Sequence, residues 1–486
     1  MRSMQRFWAS LLGLSLACGV AFALVGFTVD DALISARYAS HLAQGVGHRF
    51  NGSGPLTDGV TPLVWPYLLC CFGSDPLRLF AVARWVGMIG WLGTSCFLGM
   101  HLARVVGPRW SLGHLSWVVA FGTPAVGAWA SAGMETSLAL CLVTVAAVMG
   151  DRDKRKTASV LVGVSCLLRP ELLPFALTLG LGSAWLDERF HQQRTVRSVR
   201  SLLIHGSLVM VPFLLVMLIR WKMFDAVAPL ALRAKPSDIT HGIRYALATW
   251  LIAGPPLSCM APWAFRKLRG WPAWLLAGWL VHTVCCVLVG GDWMPLSRLF
   301  VPVLPALAIV FAHLASVAHV ASTIARALVC MMGQAFVYAT VGVGAHHVVR
   351  DRMVLIEQLR GQLRPDDVVA CLDVGWVGVA HRGSVFDLAG VTDPQVAALP
   401  GGHTSKRVTA EMLDARGVTH LLVLLARGES GLDAWQSCGL GRSVEVRLCR
   451  SEAVRAKFHP TRLVRSTDTL QYLLLERGSS SGRGQR

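Results

Sequence analysis

Thr28-Val-Asp-Asp-Ala-Leu-Ile-Ser-Ala-Arg-Tyr-Ala39 follows directly on an apolar run over residues 7–27. About 20 apolar residues cross a bilayer core, so Asp30 and Asp31 stand at the mouth of a membrane helix. Two adjacent carboxylates there cost solvation energy and repel each other, which marks the pair as functional. Acids also favour a helix start through its dipole, and for an isolated pair that plainer reading would prevail. Here the next turns carry Arg37 and Tyr38, then Gly45-Val-Gly-His-Arg-Phe-Asn-Gly52 with Asn51, then Asp58-Gly-Val-Thr61. Arg37 follows Asp30 by seven residues on one helical face, so a local ion pair is expected.

Outward from this stretch the chain stays apolar. It has 486 residues, 53% of them hydrophobic and 15% charged, with a mean hydropathy of +0.51. Soluble domains carry about a quarter charged residues, so a polytopic membrane protein is expected. Eleven spans are predicted, over 7–27, 77–103, 111–130, 134–150, 157–169, 170–187, 200–220, 243–262, 271–289, 298–317 and 321–345. The pair 157–187 is short and hinged at Arg169-Pro170-Glu171, where proline disfavours helix. The formal charge of +18 is topological rather than a nucleic-acid footprint, because 27 Lys/Arg against 13 Asp/Glu precede residue 346, mostly in short loops.

The positive-inside rule places Arg2, Arg6, Arg104, Arg109, the Arg152–Lys156 run, Arg189 to Arg200 and Arg266–Arg269 on the cytoplasmic side. The alternation works if 61–73 does not cross, which its length already suggests. The amino terminus then lies in the cytoplasm and residues beyond 345 lie outside, in a bacterial inner membrane. Asp30, Asp31, Glu135, Arg169, Glu171, Arg220, Lys235, Asp292 and Arg298 all fall at the outer face.

After residue 345 the texture changes. Val368–Asp373, Ser384–Leu388, His420–Leu425 and Leu470–Leu475 read as short buried strands, with helices over 349–363 and 405–416. The expected organisation is a catalytic membrane domain over 1–345, including a first outer loop at 28–73, an extracytoplasmic α/β domain over 346–476 and a disordered tail at 477–486. The 13 cysteines show no metal spacing; a Cys438–Cys449 disulfide requires the carboxyl-terminal region to be extracytoplasmic.

Other motifs carry weaker signals. In Val289-Gly-Gly-Asp-Trp-Met-Pro-Leu-Ser-Arg-Leu-Phe300 a tight turn alone would not need Asp292 and Arg298 around Trp293. In Ser131-Ala-Gly-Met-Glu-Thr136 an acid at a helix start is ordinary. Arg169 could snorkel to lipid phosphate. Arg220, Lys222, Arg233 and Lys235 are outer-side cations, against the usual bias of short loops.

These motifs, with Asp58-Gly-Val-Thr-Pro-Leu-Val-Trp65 and Phe386-Asp-Leu-Ala-Gly-Val-Thr-Asp-Pro394, resemble the bacterial GT-C glycosyltransferases similar to the terminal β-(1→2)-arabinofuranosyltransferase of mycobacterial cell walls. The resemblance runs in register from residue 24 to about 400. It departs at Val60, where tyrosine is usual, and at Leu172, where glycine is usual. It implies a GT-C-like α-helical polytopic fold and transfer of a sugar, with inversion, from a polyprenyl-phosphate donor. The acceptor would be a cell-envelope glycan or lipid on the extracytoplasmic side. Inverting transfer needs one base for the acceptor proton and cations for the departing phosphate. Asp30 is assigned as base with Asp31 holding the acceptor, an order that could be reversed. Arg220, Lys235 and Arg298 are assigned to the donor phosphate. Arg37, Tyr38, Asn51, Asp58, Thr61, Glu135, Arg169, Glu171, Asp292 and Trp293 are assigned to substrate. No cofactor is implied, and a divalent metal is compatible with the aspartates but not required. The partners are the lipid-linked donor, the acceptor and the bilayer, not nucleic acid. A lipid or glycan transporter is the alternative; it would place charges at the bilayer midplane and show internal repeats, and the sequence has neither.

Overall fold

The computed structural model describes residues 2–107, 121–189, 196–235, 237–253, 266–467 and 470–478. Parts of two expected spans (111–120 and 254–262), of the loops expected to be cytoplasmic (Arg109 and 190–195), and residues 479–486 of the expected tail lie outside these.

Among the described residues four helices are long and apolar enough to cross a membrane: Pro76–Val106, Val199–Phe224, Trp271–Leu288 and Val320–Leu359. Shorter apolar helices cover Leu11–Ala23, Thr136–Asp151 and Val301–Val317. The hinge at Pro170 is real: one helix ends at Leu168, a single 3-10 turn spans Pro170–Leu172, and Leu173–Arg189 follows. Residues 61–73 hold only the six-residue helix Val64–Leu69 and a 3-10 turn over Cys70–Phe72. The helical stretch from Val320 runs on to Leu359, past the expected boundary at 345.

Helix Asp30–Ala43 is buried on every side from Ala32 to Ser40. A helix buried all round must be sandwiched, and this one lies between Pro76–Val106 and the short helix Val374–Ala380. The approach is close because Gly375 and Gly378 face it. A Cβ on Gly375 would meet the Asp30 carbonyl oxygen at 2.1 Å, and one on Gly378 the Arg37 side chain at 2.9 Å.

The carboxyl-terminal strands form one mixed sheet in the order β2-β1-β3-β5-β4, from Val368–Cys371 (β1), Ser384–Asp387 (β2), His420–Leu424 (β3), Phe458–Thr467 (β4) and Leu470–Arg477 (β5). β1 pairs parallel with β2 and β3, and β5 pairs antiparallel with β3 and β4. Alternation along the strands divides the side chains. Leu421, Val423, Leu473 and Leu475 fill a core of the sheet region alone. Leu422, Tyr472 and Leu474 face the other way, into the apolar core shared with Leu355, Ile356 and the membrane helices. That shared core fixes the sheet against the apolar helices. Cys438 and Cys449 are disulfide-linked, with Cα atoms 5.8 Å apart.

Candidate active site

A cleft of ≈ 600 Å³ lies between the two layers. Its floor is made by residues 27–31, Ile34, residues 293–295, Val341, Gly344, Ala345 and Val348. Its roof is made by residues following the carboxyl ends of β1 and β2, with His403, Thr404 and Arg442. Carboxyl ends of parallel strands are where open α/β sheets bind ligands.

Both aspartates line this cleft but differ in what they touch. The Asp30 oxygens accept backbone N–H bonds from Gly375 (2.7 Å) and Trp376 (2.9 Å), so Asp30 caps the helix Val374–Ala380 from across the layer boundary. Burial raises its carboxyl above the usual range; Arg352 opposes this and the Asp373 charge adds to it. Asp31 has no such cap. Its side chain is 33% exposed, and an oxygen lies 3.5 Å from Arg298.

Arg298 gathers the floor. It reaches Asp31, Glu135 at 3.4 Å and Asp292 at 3.8 Å. Arg169 reaches Glu135 at 2.8 Å and Glu171 at 2.5 Å. Glu135 is wholly buried, with Oε1 shared between the two guanidiniums. A buried carboxylate survives only when paired in this way. The loop that delivers Arg298 turns through left-handed backbone at Gly290 and Gly291, the geometry glycine adopts freely. The Trp129 indole donates to the Leu296 carbonyl at 3.0 Å and holds the loop's far side. Trp293 projects from that loop, 58% exposed, stacked on His241 with centroids 4.2 Å apart.

The roof is cationic. Asp373, just beyond β1, accepts from Arg442 at 2.7 Å and from the Tyr472 hydroxyl at 2.5 Å, and Arg352 donates to Tyr472 at 3.1 Å. Burial works to raise Asp373, but Arg442 and Arg352 beside it hold it below the usual carboxylate range. Lys235 lines the cleft and makes no ion pair among the described residues. Burial, then the Lys235 charge, push His403 down to about 4.

The structure therefore brings together Asp30, Asp31, Glu135, Arg169, Glu171, Lys235, Asp292, Trp293 and Arg298. It puts the other expected residues elsewhere. Arg37 is not paired with Asp30; it donates to the carbonyls of Phe50, Gly378, His381 and Gly383. The correction has a simple cause: Asp30 meets unsatisfied N–H groups at a helix start, and Arg37 meets carbonyls at and beyond that helix's end. Tyr38 is bonded to Thr57 at 2.6 Å and accepts from Gly59. Asn51 exchanges two 2.9 Å bonds with the backbone of Val385, closing the free edge of β2. Arg220, 1% exposed, holds Asp58 at 2.9 Å and the carbonyls of Val60 and Thr61. These residues form a clamp around the first outer loop, with no place on the cleft. Sequence reasoning missed Arg352, Asp373, His403 and Arg442. Asp373 had a signal, an acid at the carboxyl end of a parallel-type strand; the others had none. Among the described residues no group of three His, Cys, Asp or Glu side chains converges as a metal site.

Residues 342–468 match a family model described as a domain of unknown function (DUF8728). No curated protein matches the chain in sequence. Two solved structures are similar over nearly the whole length. ArnT from Cupriavidus metallidurans bound to undecaprenyl phosphate is 12% identical, with 98% of this chain and 99% of that chain covered and a TM-score of 0.46. The same protein in the apo state is 13% identical, with 96% and 97% covered and a TM-score of 0.47. Likeness this distant assigns neither activity nor substrate.

Proposed function

We propose that this chain is an integral membrane glycosyltransferase of the GT-C class that moves a sugar from a polyprenyl phosphate to an envelope glycan or lipid, with inversion, outside the inner membrane. The observation that carries this is Asp31, one-third exposed in a cleft with an acidic floor and a cationic roof. The motif resemblance supplies the donor class.

In the proposed step the acceptor oxygen attacks the anomeric carbon and that bond forms. The bond from the anomeric carbon to the phosphate oxygen breaks, and its electron pair leaves with the lipid phosphate. The proton goes to Asp31, because both Asp30 oxygens are engaged by the helix cap. Asp30 holds the roof in place. Glu135, wholly buried, holds Arg169 and Arg298 beneath the cleft, and the exposed Trp293 face suits a sugar ring.

The domain reading is part of the proposal: 1–345 as the catalytic membrane domain, 346–476 as an extracytoplasmic domain and 477–486 as a tail, with the amino terminus in the cytoplasm. Charge alternation supports this orientation, and so does the Cys438–Cys449 bond, since disulfides persist in oxidising compartments. Membranes containing the protein, given a panel of radiolabelled polyprenyl-phosphate sugars, should transfer label from one of them to envelope material. Transfer from a nucleotide sugar alone, with no lipid intermediate, would overturn the donor class. Protease added to intact spheroplasts should clip the region after 345 and spare it in inside-out vesicles; the reverse would overturn the orientation.

A further inference from the structure

The charges at the cleft are unevenly placed. Asp30 and Asp31 line the floor, and beneath it Glu135, Glu171 and Asp292 enclose the guanidiniums of Arg169 and Arg298, neither of which lines the cleft. Opposite, Asp373 neighbours both Arg352 and Arg442, and the capping carboxylate Asp30 also acts on Arg352. The Arg352 Nε is buried without a hydrogen-bond partner among the described residues. The other acid near Arg442, Glu445, has Oε1 as acceptor for the Leu424 N–H as well as for Arg442. Lys235, whose charge acts on both Asp292 and His403, adds a third cation to the cleft lining, and His403 is held neutral. Among the described residues the cations that line the cleft are thus Lys235, Arg352 and Arg442, whereas Arg169 and Arg298 lie beneath its floor.

Inversion at a carbon centre adds a spatial requirement. The nucleophile and the leaving group occupy opposite faces of the sugar ring, so the base and the phosphate-binding cations must face each other across it. Arg298 sits on the base's side, 3.5 Å from Asp31 and shared among three carboxylates. A phosphate there would meet those carboxylates. Arg220 is sealed inside the loop clamp.

We propose that the donor phosphate is held by Lys235, Arg352 and Arg442, so that residues beyond 345 supply most of the leaving-group half of the site. Asp373 is then a positioning residue, fixing Arg442 directly and Arg352 through Tyr472. The sugar lies between this group and Asp31, and the leaving phosphate gains charge next to fixed guanidiniums as the bond breaks. This assignment rests on the transferase reading above and replaces Arg220 and Arg298 as the phosphate ligands.

The test uses the purified full chain in detergent, with a sugar-free polyprenyl monophosphate as probe and the matching polyprenol as control. Wild type should prefer the phosphate. Lys235→Gln and Arg442→Gln should each weaken phosphate binding by about ten- to a hundredfold, the effect of losing a charge-assisted hydrogen bond, with polyprenol binding unchanged. Arg442→Lys should recover most of the loss, which separates charge from fold. Arg298→Gln should change phosphate binding less than about twofold while transfer falls. Phosphate preference retained in the Lys235 and Arg442 variants but lost in Arg298→Gln would overturn this assignment and leave the donor class standing. No preference in the wild type would overturn both.

Discussion

The clamp around the first outer loop and the cleft beside it use the same residue types to opposite ends. In the clamp the cations and the amide are paired: Arg37 binds four carbonyls, Asn51 both backbone groups of Val385, and Arg220 the Asp58 carboxylate. In the cleft the pairing is incomplete. Asp31 is part-exposed at 3.5 Å from its arginine, Lys235 lacks an ion pair among the described residues, and Trp293 presents most of its surface. A buried polar group stabilises a fold only when its hydrogen bonds are made. Groups left open at a concave surface are available for a ligand.

The largest expected effect lies within the aspartate pair. Asp31→Asn should lower turnover by about 10²–10⁴, the usual cost of losing a general base, at unchanged membrane abundance. Asp30→Asn keeps one acceptor for the helix cap and should cost about 0.5–2 kcal/mol of stability, with a smaller loss of turnover. Turnover of the two variants at matched abundance decides this, and the reverse order would return the base to Asp30.

Next is the clamp. Arg220→Gln leaves the buried Asp58 carboxylate without its cation, which costs about 3–5 kcal/mol. It should appear as lost abundance and earlier unfolding in detergent. A stable Arg220→Gln protein with impaired donor use would move Arg220 into the site and erase the contrast.

The smallest effect is a pH dependence in the roof. Burial pushes Glu445 from an ordinary 4.5 up to about 7, against the pull of Arg442. Its folded form therefore holds the proton more tightly than the unfolded chain does. Its contribution to stability is present at pH 4.5 and below and is lost as pH rises to about 7. Thermal unfolding across that window should show a falling midpoint, with a shallower fall in Glu445→Gln. An unchanged slope would show that Glu445 titrates normally.

Much of the architecture was legible from composition and pattern. Apolar runs placed the four helices long and apolar enough to cross a membrane, Arg169-Pro170-Glu171 placed the hinge, and apolar stretches placed four of the five strands. β4 escaped because Phe458–Thr467 is an edge strand with alternating exposed residues, His459 and Arg465 among them, and such a strand lacks an apolar run. Helix Val374–Ala380 escaped because two glycines in seven residues read as turn, and their purpose is contact with another helix. The Arg37–Asp30 pair misled because helical spacing reports which residues share a face, not what packs on it.

The sequence by itself determined which segments are apolar enough to enter a bilayer and that unusual charges gather near their ends. Solvation decides both: apolar side chains leave water wherever they stand in the chain, and charges stay at its edge. Only the tertiary structure decided which of those charges remain open. Whether an aspartate is a helix cap or a candidate base depends on what lies within 3 Å of it. For Asp30 that neighbour is an N–H group 345 residues further along the chain, brought there by a sheet packing onto the membrane helices. Asp31, one residue away, points past the same contact into the cleft.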